Sequence, residues 1–198
     1  MNTLHIALNR FGLGARPDES AATDPTTWLL AQLDRFEVRP ASWREVPRSP
    51  ELVQAWARQQ RAVQQAPQGD RSGIREAYLR QGRGQYIAAV GAWARSALRS
   101  TTPFVERLVH FWSNHFAVSV DKLLTVGVTG GFEADALRPH VLCRFEDLLL
   151  AAVRHPAMLL YLDQASSSGV LVFNRQGHWA RSLSVDPWRF APGWGRFL

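Results

Sequence analysis

The stretch PFVERLVHFWSNHF, residues 103–116, decides the fold. Its proline opens a helix, because a fixed φ suits the first turn and the missing N–H has no partner to lose there. Leu108, Phe111, Trp112 and His115 then follow at i, i+3, i+4 and i+7, which sets them on one side of a 3.6-residue period. That spacing predicts an α-helix with an apolar stripe turned to a core, and His115 as a packed imidazole on that stripe.

The same device recurs on both sides. Asp24-Pro25 precedes Trp28, Leu29 and Leu33; Ser49-Pro50 precedes Leu52, Val53, Trp56 and Val63, with Gln54, Gln59, Gln60 and Gln64 on the wet side. In each, a short polar residue caps the orphan N–H groups and proline starts the turn. Residues 40–47 read as a connector and 67–73 as a turn-rich break. Helical pattern resumes at Ile74. Gly82 and Gly84 each weaken it by about 1 kcal/mol relative to alanine, which predicts a kink or interruption. Beyond them Ile87, Val90, Ala94 and Ala97 hold a stripe. Residues 118–131, rich in glycine and β-branched side chains, read as a loop or short strand; helical pattern returns over 132–137, resumes after Pro139 through Phe145 to Val153, and returns again over 156–163. The fold class is therefore all-α: a single helical domain of about seven helices over residues 4–164. An irregular tail follows at 165–198, where Trp179, Trp188 and Trp194 fall among glycines and prolines without a sustained period.

At 198 residues the chain can bury roughly 70% of the surface its unfolded form exposes, and 46% hydrophobic against 20% charged residues is the balance of a globular protein. The formal charge of +6 invites a nucleic-acid reading, which the distribution of the charge opposes. Lys122 is the one lysine, and the arginines, scattered from Arg10 to Arg196, alternate with acids, as at Asp34, Arg35 and Glu37. That is the pattern of a solvated mixed surface, and nucleic acid is not the expected partner. The single cysteine, Cys143, excludes an internal disulfide and a cysteine zinc site; beside Leu142 and Phe145 it reads as a small buried hydrophobe. Residues 1–14 do not read as a signal peptide, and no apolar run reaches membrane-spanning length, so a cytoplasmic location is expected.

Several blocks are similar to one family. LNRFGLGARP (residues 8–17), ERLVHFWSNHFAVS (106–119), ALRP (136–139), and FEDLL (145–149) with HPAMLLYLD (155–163) resemble the bacterial domain-of-unknown-function 1800 family over residues 4–164. The resemblance implies no reaction and no cofactor. Its members continue well past this length, with an Asn-Glu-Asn…Ala-Arg-Glu-Leu helix soon after the YLD block, of which residues 174–181 (NRQGHWAR) carry only a faint counterpart. It implies a C-terminally truncated member whose residues from about Ser167 are an out-of-frame or substituted tail.

Candidate chemistry is sparse. His115 has the imidazole of an acid, base or metal ligand, with Asn114 beside it. His110 and His115, five apart, diverge by about 140° on a helix and do not share a metal. Glu106 and His110, four apart, share a face and read as a helix-surface ion pair. Asp163, closing the apolar MLLYLD run, is either a buried functional carboxylate, paired with an arginine such as Arg10, or an exposed helix-closing group. Gly12 and Gly14 lack the strand, third glycine and Lys-Ser/Thr ending of a phosphate loop and read as a turn. No metal site and no cofactor are expected. Two functions stay open: a helical module acting through protein-partner contacts, or a truncated remnant of one, and a fragment of an enzyme with a site around Asn114, His115, Asp163 and Arg10.

Overall fold

A computed structural model describes residues 3–14, 24–122, 125–164, 171–173 and 179–181. Helices α1 (Thr3–Phe11), α2 (Pro25–Arg35), α3 (Ser49–Gln65), α4 (Arg71–Arg99) and α5 (Pro103–His115) lead into the short α6 (Val126–Thr129). A π-helical turn (Glu133–Leu137) and a 3-10 turn (Arg138–His140) then connect to α7 (Phe145–Arg154) and α8 (Pro156–Tyr161). The expected all-α body is borne out. Most of the expected irregular tail lies outside the described residues; within it Leu171–Phe173 pairs antiparallel with Trp179–Arg181 as a two-stranded hairpin.

Proline starts four of these helices, but the caps come from different places. Asp24 caps α2 as its sequence predicts, its carboxylate accepting from the Thr27 N–H at 2.8 Å. The Thr27 hydroxyl and backbone bonds hold the Asp24 carboxyl below the usual carboxylate range. At α5 the N-cap Thr102 makes no side-chain capping bond. Instead the fully buried Gln32 of α2 accepts the Phe104 N–H at 2.8 Å, so a side chain distant in sequence finishes that end. Ser49 is not the cap of α3 either: it is the first helical residue, and its own N–H is taken by Asp135.

Three further expectations are corrected. Helix α4 runs unbroken through Gly82 and Gly84, because Gly82 is a contact surface. A Cβ there would lie 3.0 Å from the Gly127 Cα of α6, so the missing side chain lets two backbones touch. Residues 126–129 are the helix α6, not loop or strand. The stripe of α5 faces inward only in part: Leu108 and Trp112 are half-buried against the cores. Val105, Glu106 and Val109 are buried, whereas Phe111 is 59% exposed and His115 is exposed. The buried side of α5 carries a carboxylate, which an apolar pattern cannot reveal.

The main core joins Leu52 and Val53 of α3, Phe116, Val128, Phe132, Leu137, and Leu148, Ala152, Met158 and Leu160 of α7 and α8. A second cluster sets Trp43 and Val46 against Ala89 and Ala92 of α4. Between these layers the segment 131–140 crosses the interior and carries two buried polar networks among the described residues.

Candidate functional site

The first network surrounds Arg138, 1% exposed. Its guanidinium grips Glu106 with two bonds, Nη1 to Oε2 at 2.9 Å and Nη2 to Oε1 at 2.6 Å. Nε donates to the Val38 carbonyl at 2.8 Å, Nη2 to the Glu37 carbonyl, and the Phe36 ring stacks 5.1 Å from the guanidinium carbon. The Ser96 hydroxyl donates to Glu106 Oε2 at 3.1 Å. A planar fork with five donors suits such a site, where an ammonium would leave acceptors unmet. Glu106 is thus no surface partner of His110, which stacks on Trp93 with centroids 4.6 Å apart. Burial lowers the His110 pKa. Glu133 sits 3.6 Å from the same guanidinium and accepts from the Ser113 hydroxyl at 2.9 Å. Burial pushes its carboxyl up to about 7.

The second network lies at the base of a cleft of about 830 Å³ among α3, the 134–140 turns and α7. Asp135 Oδ2 accepts both the Ser49 N–H at 2.6 Å and the Ser49 hydroxyl at 2.8 Å, while Oδ1 pairs with Arg39 at 3.1 Å. The Ser49 oxygen lies 2.6 Å from His155 Nε2. Serine, histidine and aspartate meeting invite comparison with a hydrolytic triad, and the hydrogen bonding answers it. His155 Nδ1 accepts the Ala157 N–H at 3.2 Å to cap α8, so in the neutral ring Nε2 carries the proton and donates to Ser49. The base position is therefore already filled, and the aspartate holds the serine rather than the imidazole. Ser49 is 1% exposed and cannot present its oxygen to a substrate. Burial holds the His155 pKa at about 4, which keeps the ring neutral. The cluster ties together the starts of α3 and α8 and the π-helical turn.

Around that base the cleft is lined by the exposed Arg48 and Arg154, by His140, and by Pro50, Pro139 and Leu150. Asp147, Leu150, Ala151 and Arg154 of α7, at i, i+3, i+4 and i+7, face it together. Cys143, expected in the core, is exposed in the turn before α7 and lines the same cleft.

The four residues singled out from sequence lie elsewhere. His115 and Asn114 are exposed at the end of α5, where the His115 ring meets Trp112 and Phe116 edge-on, with centroids 5.5 and 4.8 Å apart. Asp163, at φ 57°, pairs with Lys122 at 2.6 Å, and the same ammonium bonds the Tyr161 carbonyl. Exposed Arg10 has no ion pair among the described residues. None of the four lines the cleft or the smaller cavity described below. His155, Asp135 and Ser49 escaped the sequence reading. The available signal was a histidine directly before proline at a helix start, where its ring can cap. Among the described residues no cluster of three or more histidine, cysteine or carboxylate side chains is arranged to hold a metal, and no helix is long and apolar enough to cross a membrane.

The model of one protein family matches residues 6–171, through both networks and the cleft. The chain belongs to that family. It is described as a protein of unknown function, DUF1800. No curated protein and no solved structure matches the chain. Within this DUF1800 chain, Glu106, Arg138 and His155 of the two buried networks all lie inside the matched range.

Proposed function

We propose that the chain is a helical protein-interaction module, built on residues 4–164, that holds an acidic, partly apolar segment of a partner protein in the cleft between α3 and α7. One observation carries the reading: Arg48 and Arg154 line the cleft, are exposed, and have no ion-pair partner among the described residues. The carboxylate at the base, Asp135, is already neutralised by Arg39, and His155 is neutral. Asp147, on the same face of α7 as Arg154, is then the one remaining carboxylate among the cleft-lining residues to set against the two arginines. Paired guanidinium groups recognise carboxylates through bidentate bonds, and the proline and leucine surfaces between them suit an apolar side chain. A binding role also fits the occupied imidazole, since both roles of the Ser49 hydroxyl are spent within the protein.

The test is fluorescence anisotropy with a labelled peptide of alternating glutamate and leucine, against a lysine-leucine peptide as control. The acidic peptide should bind, more weakly as salt rises, and Arg48→Glu with Arg154→Glu should weaken it by about tenfold or more. Equal binding of the two peptides, or full binding by the double variant, overturns the reading.

A further inference from the structure

A second cavity, of about 230 Å³, lies on the other side of the 131–140 segment. Trp43, Tyr86 and Trp93 line it together with Glu133 and Ser113. We propose that this cavity is a binding site for a small organic ammonium ion, with the aromatic rings as its walls and the Glu133 carboxylate as its counter-charge.

Two independent features point to a cation. The first is the wall. Indole and phenol rings present negative faces, and a cation within about 6 Å of their centroids is attracted, most strongly where water is excluded. Trp93, stacked on His110 at one side, is 40% exposed and Tyr86 is half-buried, so these two rings form the accessible wall, while Trp43, 1% exposed, backs it from the core. The second is the charge balance behind the wall. Arg138 is one positive charge facing two carboxylates, and Glu106 takes it with two short bonds. Glu133 is left 3.6 Å away, its side chain only 11% exposed, with Oε1 lacking a hydrogen-bond partner among the described residues. His110 nearby contributes no compensating charge, since burial favours its neutral ring. A buried carboxyl in surplus over its cation either keeps a proton or finds another cation. Without a ligand it holds its proton up to about pH 7, in accord with its raised pKa, and above that pH the carboxylate is free to pair with a cation. A quaternary or methylated ammonium satisfies both features at once: it needs no hydrogen-bond acceptors at its methyl groups, and it supplies the missing charge.

Choline separates this proposal from simple apolar binding, because 3,3-dimethylbutan-1-ol has the same shape without the charge. Binding to the full chain is followed by tryptophan fluorescence and by calorimetry at pH 8. Choline should bind at least tenfold more tightly than the neutral alcohol, and Glu133→Gln should remove most of that preference, leaving only what the rings supply. Trp93→Leu, at a partly exposed position, should weaken choline binding while leaving the circular dichroism spectrum unchanged. The proposal is overturned if choline and the alcohol bind alike, if choline does not bind at millimolar concentration, or if a folded Glu133→Gln protein shows the choline preference undiminished.

Discussion

At the residue scale, His155 and Glu133 titrate in opposite senses. The unfolded His155 takes up a proton near 6.5, while the buried ring resists until about 4. Its contribution to stability is therefore whole above 6.5 and falls as pH drops through that window, by about 3 kcal/mol at the limit. The unfolded Glu133 loses its proton near 4.5, while the folded carboxyl keeps it until about 7. Its contribution is whole below 4.5 and falls as pH rises to about 7, by a similar amount. The two slopes offset one another where they overlap. In urea melts across pH 4–8, Glu133→Gln should therefore show stability falling toward acid, and His155→Asn should show it falling toward base. Parallel curves for the two variants would contradict the assignment. Arg138 is the other test at this scale. Arg138→Met strands Glu106 in the interior and should cost about 3–5 kcal/mol, whereas adding Glu106→Leu should restore much of that loss. The sequence reading placed Glu106 and His110 correctly on one helix but misjudged which way they face, because a charge is buried only by virtue of a partner 32 residues away.

At the element scale, the two glycines of α4 separate propensity from packing. Gly84 has open space where a Cβ would stand, so Gly84→Ala should stabilise the helix by about 1 kcal/mol. Gly82→Ala drives a methyl against the α6 backbone and should destabilise by about 1–3 kcal/mol. Thermal melts of the two variants should therefore move in opposite directions. Gly131 is similar to Gly82: a Cβ there would lie 2.5 Å from the Ser49 oxygen, so its absence gives Asp135 access to the start of α3. Helix positions and proline-led starts were legible from period and composition. What glycine touches was not, because Gly82 and Gly127 meet across 45 residues of chain. The same distance in sequence hid the candidate cleft, whose Arg48 and Arg154 come from α3 and α7 and are unremarkable in isolation.

At the scale of the whole molecule, the helices are joined less by their connectors than by side chains that serve another helix's end. Gln32 completes α5, and Asp135, reaching across 86 residues, completes α3. The connector between α3 and α4, by contrast, is exposed at residues 67–70. Nothing would need to pack against Gly69, where an added Cβ meets open space. A break in that exposed turn is expected to leave the packed elements in place. Two separately expressed pieces, residues 1–68 and 69–198, should find each other and reconstitute the native circular dichroism spectrum on mixing, and Asp135→Ala in the larger piece should prevent it. The protein is, in that sense, already a split reporter with its cut site marked.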